Sequence, residues 1–219
     1  MSSGIWNEFW SDESTHEYWL RPAAEVIDFM QSQSPRTYPR VLDLGCGLGR
    51  HAIAFAEAGY DVSATDASEK TIEHLRRWRD RLGLSIATET CDMLRQPFPA
   101  DSFDIVVAYN VIYHGSRESF ALAAKEVRRL LRTRGLFFFT CPTRDDGKYG
   151  CGECLAPHTY AAQNSMTPGD VHYFADAAGL RELLQGFSIV SLRKDEGYWN
   201  NKGVSQFFSN WIVTAEKTE

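Results

Sequence analysis

No stretch of this chain approaches the ~20 consecutive apolar residues that a membrane-spanning helix requires. The N-terminus, MSSGIWNEFWSDESTHEYW, has neither the apolar core of a secretory signal nor the arginine-rich, acid-poor character of a transit peptide. Cysteine is sparse and odd in number. Cys46, Cys91, Cys141, Cys151 and Cys154, spread over 219 residues, do not make a disulfide framework. These absences lead to the expectation of a reduced, cytoplasmic protein. Basic residues are outnumbered, 23 Lys and Arg against 29 Asp and Glu for a formal charge of −6, which speaks against a broad electrostatic grip on nucleic acid. Internal repeats, low-complexity tracts and interdomain linkers are also missing. What remains is an ordinary globular composition, 43% hydrophobic and 13% aromatic. At roughly 150 residues per domain the length points to one domain, 1–219, with an elaboration, large enough to bury ~70% of its unfolded surface without staples.

Apolar periodicity alternates between strand and helix along the chain. Arg40 to Leu44 is a short apolar run entering a glycine-rich turn, after which Leu48, Ala52, Phe55 and Ala56 recur at helical spacing up to Gly59. Tyr60 to Thr65 reads as a second strand ending at Asp66. Ser68 is placed to cap a helix with Ile72, Leu75, Trp78 and Leu82 on one face. Leu84–Thr90, Phe103–Ala108 and Gly135–Cys141 read as further strands, with a helix over Ser116–Arg132 between the last two. Asp176 caps a short helix that Gly186 ends, and Phe187–Leu192 and Phe207–Ala215 finish the pattern. Repeated strand-then-helix steps predict an α/β sheet with helices on both faces. Two segments fall outside this rhythm: residues 1–38, carrying Trp6, Phe9, Trp10, Tyr18 and Trp19, and residues 142–175, a long Gly/Pro-containing loop. Loops of that length are lids or binding loops, and both segments are placed to close over the C-terminal edge of the sheet.

The most informative stretch is VLDLGCGLGRH, Val41 to His51. A strand delivers the chain to Gly45-Cys46-Gly47-Leu48-Gly49 and a helix begins there, so that a ligand can lie against bare peptide N–H groups. Asp66, at the tip of the next strand, stands where a nucleoside-binding α/β protein places the carboxylate for its ribose hydroxyls. Asp92-Met93 follows the third strand and suits an adenine, a carboxylate for the exocyclic amine and a thioether for the ring face. Tyr109-Asn110 ends the fourth. A dinucleotide fingerprint would need glycine where Arg50 stands, and no G-K-[ST] follows for a P-loop. Asp43 adds negative charge that repels a pyrophosphate and welcomes an ammonium or sulfonium. The implied ligand is an adenosine with a cationic tail and no phosphates.

From Arg40 to Glu216 the chain resembles a class I S-adenosylmethionine-dependent methyltransferase: VLDLGCGLG resembles its first motif, Asp66 its ribose-binding acid, and Cys91-Asp92-Met93 its adenine-contacting turn. FDIVVAYNVIYH and EVRRLLRTRGLFFFT resemble its fourth strand, helix and fifth strand, with Thr133-Arg134-Gly135 in place of the usual Pro-Gly-Gly. The N-terminal aromatics, Gly169–Phe174 and the closing strand resemble small-molecule enzymes of the tellurite-resistance kind. The resemblance implies a Rossmann-like seven-stranded, mostly parallel sheet with an antiparallel C-terminal strand. It implies S-adenosylmethionine as cofactor, leaving as S-adenosylhomocysteine, held by Asp43, Gly45, Cys46, Gly47, Asp66, Ala67, Asp92, Met93 and Asn110. The implied acceptor is a small molecule (a thiol, a metalloid oxyanion or an aromatic metabolite), with no membrane partner.

In-line displacement at a sulfonium needs the acceptor positioned, and a base only where a proton must leave early. No catalytic residue is therefore demanded; the candidates are Tyr113, His114 and His172. Tyr18, Trp19, Arg21 and Tyr173 join them on the expected substrate side. The alternatives are a non-catalytic cofactor-binding or sensor protein, a nucleic-acid methyltransferase and a nicotinamide-dependent oxidoreductase. Cys151-Gly152-Glu153-Cys154 with His158 and His172 carries enough donors for zinc, but one C-x-x-C without a second pair does not make a site, and no metal is expected. Cys141-Pro142 lacks the partner residues of nucleobase chemistry. The arginine-rich helix tails at 76–81 and 125–134 read as solvated faces.

Overall fold

The computed structural model describes residues 3–11, 16–161, 169–201 and 204–219. Three helices, α1 (Ser3–Phe9), α2 (His16–Trp19) and α3 (Ala24–Ser32), precede the first strand. Then come β1 (Arg40–Leu44), α4 (Arg50–Glu57), β2 (Asp61–Asp66), α5 (Glu69–Leu82), β3 (Ile86–Thr90), β4 (Phe103–Ala108), α6 (Arg117–Leu130) and β5 (Leu131–Pro142). The chain closes with β6 (Glu153–Ala156), β7 (Thr159–Ala161), β8 (Val171–Tyr173), α7 (Ala177–Leu183), β9 (Phe187–Asn201) and β10 (Val204–Lys217). Seven strands form one sheet in the order β3-β2-β1-β4-β5-β10-β9. The first five are parallel, and β10 runs antiparallel to both β5 and β9. This is the expected Rossmann-like sheet.

The twofold alternation of strand side chains sorts the core into two layers. Leu42, Leu44, Val106, Ala108, Phe137 and Phe139 face α6 and α7, meeting Phe120, Val127 and Leu180. Val41, Ile105, Val107, Leu136 and Phe138 face the other way, onto Phe29 of α3, Phe55 of α4 and Ile72 and Leu75 of α5. Every side chain of β4 is buried, as befits a central strand covered on both faces. Asp176 caps α7 by accepting from the Gly179 N–H at 2.7 Å. Ser68 holds the N-cap position of α5 without a side-chain cap bond; its hydroxyl donates instead to Asn7 Oδ1 at 2.7 Å, fastening the N-terminal segment to the sheet edge.

Two expectations change. The 142–175 segment is not a plain loop: β6, β7 and β8 form a separate antiparallel sheet within it. Residues 162–168 of that segment lie outside the described residues, as do 12–15 of the N-terminal one. The closing strands are longer than Phe187–Leu192 and Phe207–Ala215, because the β9–β10 hairpin stays paired well past the sheet, Tyr198 opposite Phe207 and Asn201 opposite Val204. No helix among the described residues is long and apolar enough to cross a membrane.

Candidate active site

Parallel strands bring the tips of β1, β2, β3 and β4 to one edge, and the site is built there. Gly45, Gly47 and Gly49 adopt φ of +69°, +52° and +94°, a left-handed region in which a side chain is strained. The turn is also crowded. A Cβ on Gly45 would lie 2.5 Å from Val111, and one on Gly47 would lie 3.1 Å from the Trp10 ring. Asp66 fixes the turn from the next strand: Oδ2 accepts from the Gly47 N–H at 2.9 Å and Oδ1 from the Ser68 N–H at 2.8 Å. Each oxygen keeps a further lone pair. Burial pushes the carboxyl above its usual range against the pull of these backbone bonds.

A cavity of about 210 Å³ opens over the turn. Its floor is Gly45–Leu48 with Asp66 and Ala67, its far wall Cys91–Met93, and its near wall Tyr109–Val111 with Tyr113, His114, Lys148 and His172. Trp6, Phe9, Trp10 and Trp19 roof it. Trp6 stands edge-on to His114 with ring centroids 4.8 Å apart, while Trp10 meets Trp19 at 5.7 Å. A second cavity of about 510 Å³ adjoins the first, sharing Trp19, Arg50, Tyr109, Asn110 and Lys148. Its own walls are Tyr18, Arg21 and Glu25 from the N-terminal segment, and Asp195, Trp199, Gln206, Phe207 and Phe208 from the hairpin.

Of the residues expected at the cofactor, Gly45, Cys46, Gly47, Asp66, Ala67, Asp92, Met93 and Asn110 line the first cavity. Asp43 does not. It shares a strand face with Val41, so its side chain points toward α4, where Oδ2 accepts from the Ala52 N–H at 3.0 Å and the group is 1% exposed. Burial pushes its pKa to about 7, so it is a structural clamp on the strand-to-helix turn rather than a charge facing a ligand. Of the residues expected on the substrate side, Trp19, Tyr113, His114 and His172 line the first cavity, while Tyr18 and Arg21 line the second. Tyr173 lines neither; strand alternation turns it away from its neighbour His172 and into the core against Phe120. Cys151 and Cys154 are exposed, free thiols.

Arg50, which sequence reasoning used only to exclude a dinucleotide, does more. Its guanidinium lies 5.1 Å from the Trp19 ring centroid and 5.6 Å from that of Tyr109, and donates to the Arg21 carbonyl at 3.0 Å. It thereby ties the N-terminal segment to the tip of β4. Asn110 is held in the left-handed region, φ 60°, by Thr140, whose hydroxyl accepts from the Asn110 N–H at 2.7 Å and donates to Asn110 Oδ1 at 2.9 Å. The strained residue presents its carbonyl to His114 Nε2 at 3.0 Å. Asp170 was not among the expected site residues. Its Oδ2 lies 2.6 Å from His114 Nδ1 and 3.0 Å from His172 Nε2, and the D-x-H spacing along an extended segment was the available signal. Burial alone would raise the Asp170 pKa, but the two imidazoles outweigh it and hold the carboxylate well below its usual range.

The family described as "Methyltransferase domain" matches residues 41–135. The chain is 26% identical to 27-O-demethylrifamycin SV methyltransferase of Amycolatopsis mediterranei over 97% of its own length and 77% of the relative's. It is 32% identical to TehB of Haemophilus influenzae over 43% of this chain, spanning 32% of TehB. Among solved structures, a 1,6-didemethyltoxoflavin-N1-methyltransferase of Burkholderia thailandensis, crystallised with 1,6-didemethyltoxoflavin and S-adenosylhomocysteine, superposes with a TM-score of 0.67 at 20% identity, covering 100% of this chain and 88% of that one.

Proposed function

We propose that the chain is a class I S-adenosylmethionine-dependent methyltransferase that methylates an oxygen of a flat, hydroxyl-bearing small molecule. The first cavity fits the cofactor on its own chemistry. The glycine turn offers a floor that a Cβ would fill, Asp66 retains lone pairs for two ribose hydroxyls, and Asp92 and Met93 wall the adenine end. When bound, the cofactor supplies an activated methyl group on a sulfonium whose departure leaves a neutral thioether.

The rest falls to the chain. The aromatic roof excludes water, and Tyr109, Asn110 and Arg50 form the sill between the two cavities, where an acceptor must present its nucleophilic oxygen. Alignment at that sill supplies most of the rate. The single observation that carries the acceptor class is the second cavity. It joins the first at this sill, and its aromatic walls of Tyr18, Trp19, Tyr109, Trp199 and Phe207 suit a planar ring system. The name of the rifamycin relative, an O-demethyl substrate, supports oxygen as the target.

The test is transfer of radiolabelled methyl from S-adenosylmethionine into size-fractionated cell extract, followed by base treatment of the labelled compound. Label in the small-molecule fraction as a base-stable methyl ether is the expected result. Label on sulfur or a metalloid would overturn the acceptor class, and label in RNA or protein would overturn the small-molecule reading as well.

A further inference from the structure

His114, Asp170 and His172 are all buried at the acceptor end of the first cavity, and each histidine offers a different nitrogen to the same carboxylate oxygen. His114 faces an acceptor at both ring nitrogens, Asp170 Oδ2 at Nδ1 and the Asn110 carbonyl at Nε2. Both ring nitrogens of His114 are thus engaged, and neither faces an incoming proton. His172 uses Nε2; its Nδ1 has no hydrogen-bond partner among the described residues, and the residue lines the cavity. A metal ion does not suit the trio. Two donors each ~2.0–2.2 Å from a tetrahedral ion stand about 3.4 Å apart, whereas Nδ1 of His114 and Oδ2 of Asp170 are 2.6 Å apart, the spacing of a charge-assisted hydrogen bond.

We infer that His172 takes the proton of the acceptor hydroxyl, while His114, engaged at Nδ1 by Asp170 and at Nε2 by the Asn110 carbonyl, has no free nitrogen to take it. This rests on the proposed methylation of oxygen. In the step, the acceptor O–H bond breaks and its proton passes to His172 Nδ1. The oxygen lone pair forms the new O–C bond to the methyl carbon, and the C–S bond breaks with its electron pair leaving on sulfur. Asp170 is a positioning residue: it fixes the His172 tautomer through Nε2–H, so the carboxylate gains a cationic partner as the proton arrives. The charged and titratable groups facing His172 are Asp170 on its own segment, His114 and Tyr113 beyond β4, Lys148, and Tyr160 opposite it on β7. Burial and the neighbouring His114 and Lys148 lower its affinity for a proton more than Asp170 raises it, which leaves Nδ1 open at neutral pH.

Ring nitrogens labelled with 15N test the arrangement in the intact protein without any acceptor. At pH 7 the expected spectrum of the six histidines contains a neutral Nε2–H signal that is lost in His172→Gln. A His172 protonated at Nδ1 would overturn the inference. The transfer assay then separates the roles. His172→Gln, whose amide can still donate to Asp170, is expected to lower kcat at least 100-fold, to abolish the acid limb of the pH profile and to leave cofactor affinity within twofold. Imidazole is expected to restore part of the rate to His172→Ala. Wild-type kcat and acid limb in His172→Gln would refute the proton-acceptor role, whereas a wild-type protein that transfers no methyl to oxygen would refute the acceptor class while the nitrogen spectrum still decides the arrangement.

Discussion

Replacing Asp66 tests the cofactor end of the site. Its two oxygens each hold one backbone N–H, from Gly47 at 2.9 Å and from Ser68 at 2.8 Å, so each has one lone pair left for a ribose hydroxyl. Hydrogen bonds to a charged group are worth about 1.5–3 kcal/mol, and the two are not additive because they share one carboxylate. Asp66→Ala is therefore expected to weaken S-adenosylmethionine binding roughly 10- to 150-fold, at about 1.4 kcal/mol per decade. Asp66→Asn is not a milder change. Its NH2 would face either the Gly47 or the Ser68 N–H, donor against donor, and would release one side of the turn. Calorimetric titration with S-adenosylmethionine gives the affinity, and Trp10, packed over Gly47, gives an independent fluorescence signal. The unliganded Asp66→Ala protein loses two backbone acceptors at a half-buried site, about 1–2 kcal/mol, and should melt only a few degrees lower. A dissociation constant unchanged in both variants would refute the assignment of the β2 tip to the ribose.

Asp43 predicts a pH dependence of stability. Its folded pKa of about 7 lies above the unfolded ~3.9, so between these values the native state holds a proton that the unfolded state has released. Stability thus falls as pH rises from about 4 to 7, by on the order of 4 kcal/mol for this group. Asp43→Asn, which keeps an acceptor for the Ala52 N–H, should match wild type near pH 4.5 and exceed it at pH 8 in urea melts; equal stability at both would contradict the burial argument. Gly49→Ala combines φ +94° with a collision against Leu75 and is expected to lower stability by at least 2 kcal/mol, read as a drop in melting temperature. Arg50→Ala, by freeing the N-terminal segment from β4, should expose Trp19 to an aqueous quencher while leaving the far-ultraviolet dichroism intact. An unchanged quenching constant would show that the roof is held elsewhere.

The sheet and the glycine floor of the first cavity were legible because each is encoded locally: a glycine turn after an apolar strand, an acid at the next strand tip, and buried β-branched runs. What was not legible depends on direction or on short segments. Asp43 and Asp66 are both strand-end acids, and only the face on which each side chain emerges makes one a clamp under α4 and the other a wall of the cavity. Tyr173 and His172 differ in the same way. The strands β6, β7 and β8 are three or four residues long, too short for a period to emerge. The hairpin beyond Leu192 runs through Arg193-Lys194-Asp195-Glu196, polar residues that belong to a ribbon wet on both sides and give no buried alternation. Arg50 was read for what it prevents, because its value lies in rings brought from Trp19 and Tyr109.

The hairpin also has a consequence for synthesis. β5 carries Leu136-Phe137-Phe138-Phe139-Thr140-Cys141, and on one side its neighbour in the sheet is β10, which pairs with it from Leu136 to Pro142. During translation that edge stays open until β10 has left the ribosome. An apolar, β-rich, uncharged edge of six residues is a template for pairing with another copy. Nascent or truncated chains ending before Phe187 should thus be prone to aggregate although they contain every cofactor-wall residue, whereas the full chain closes the edge quickly, because β9 and β10 fold back on each other through local contacts.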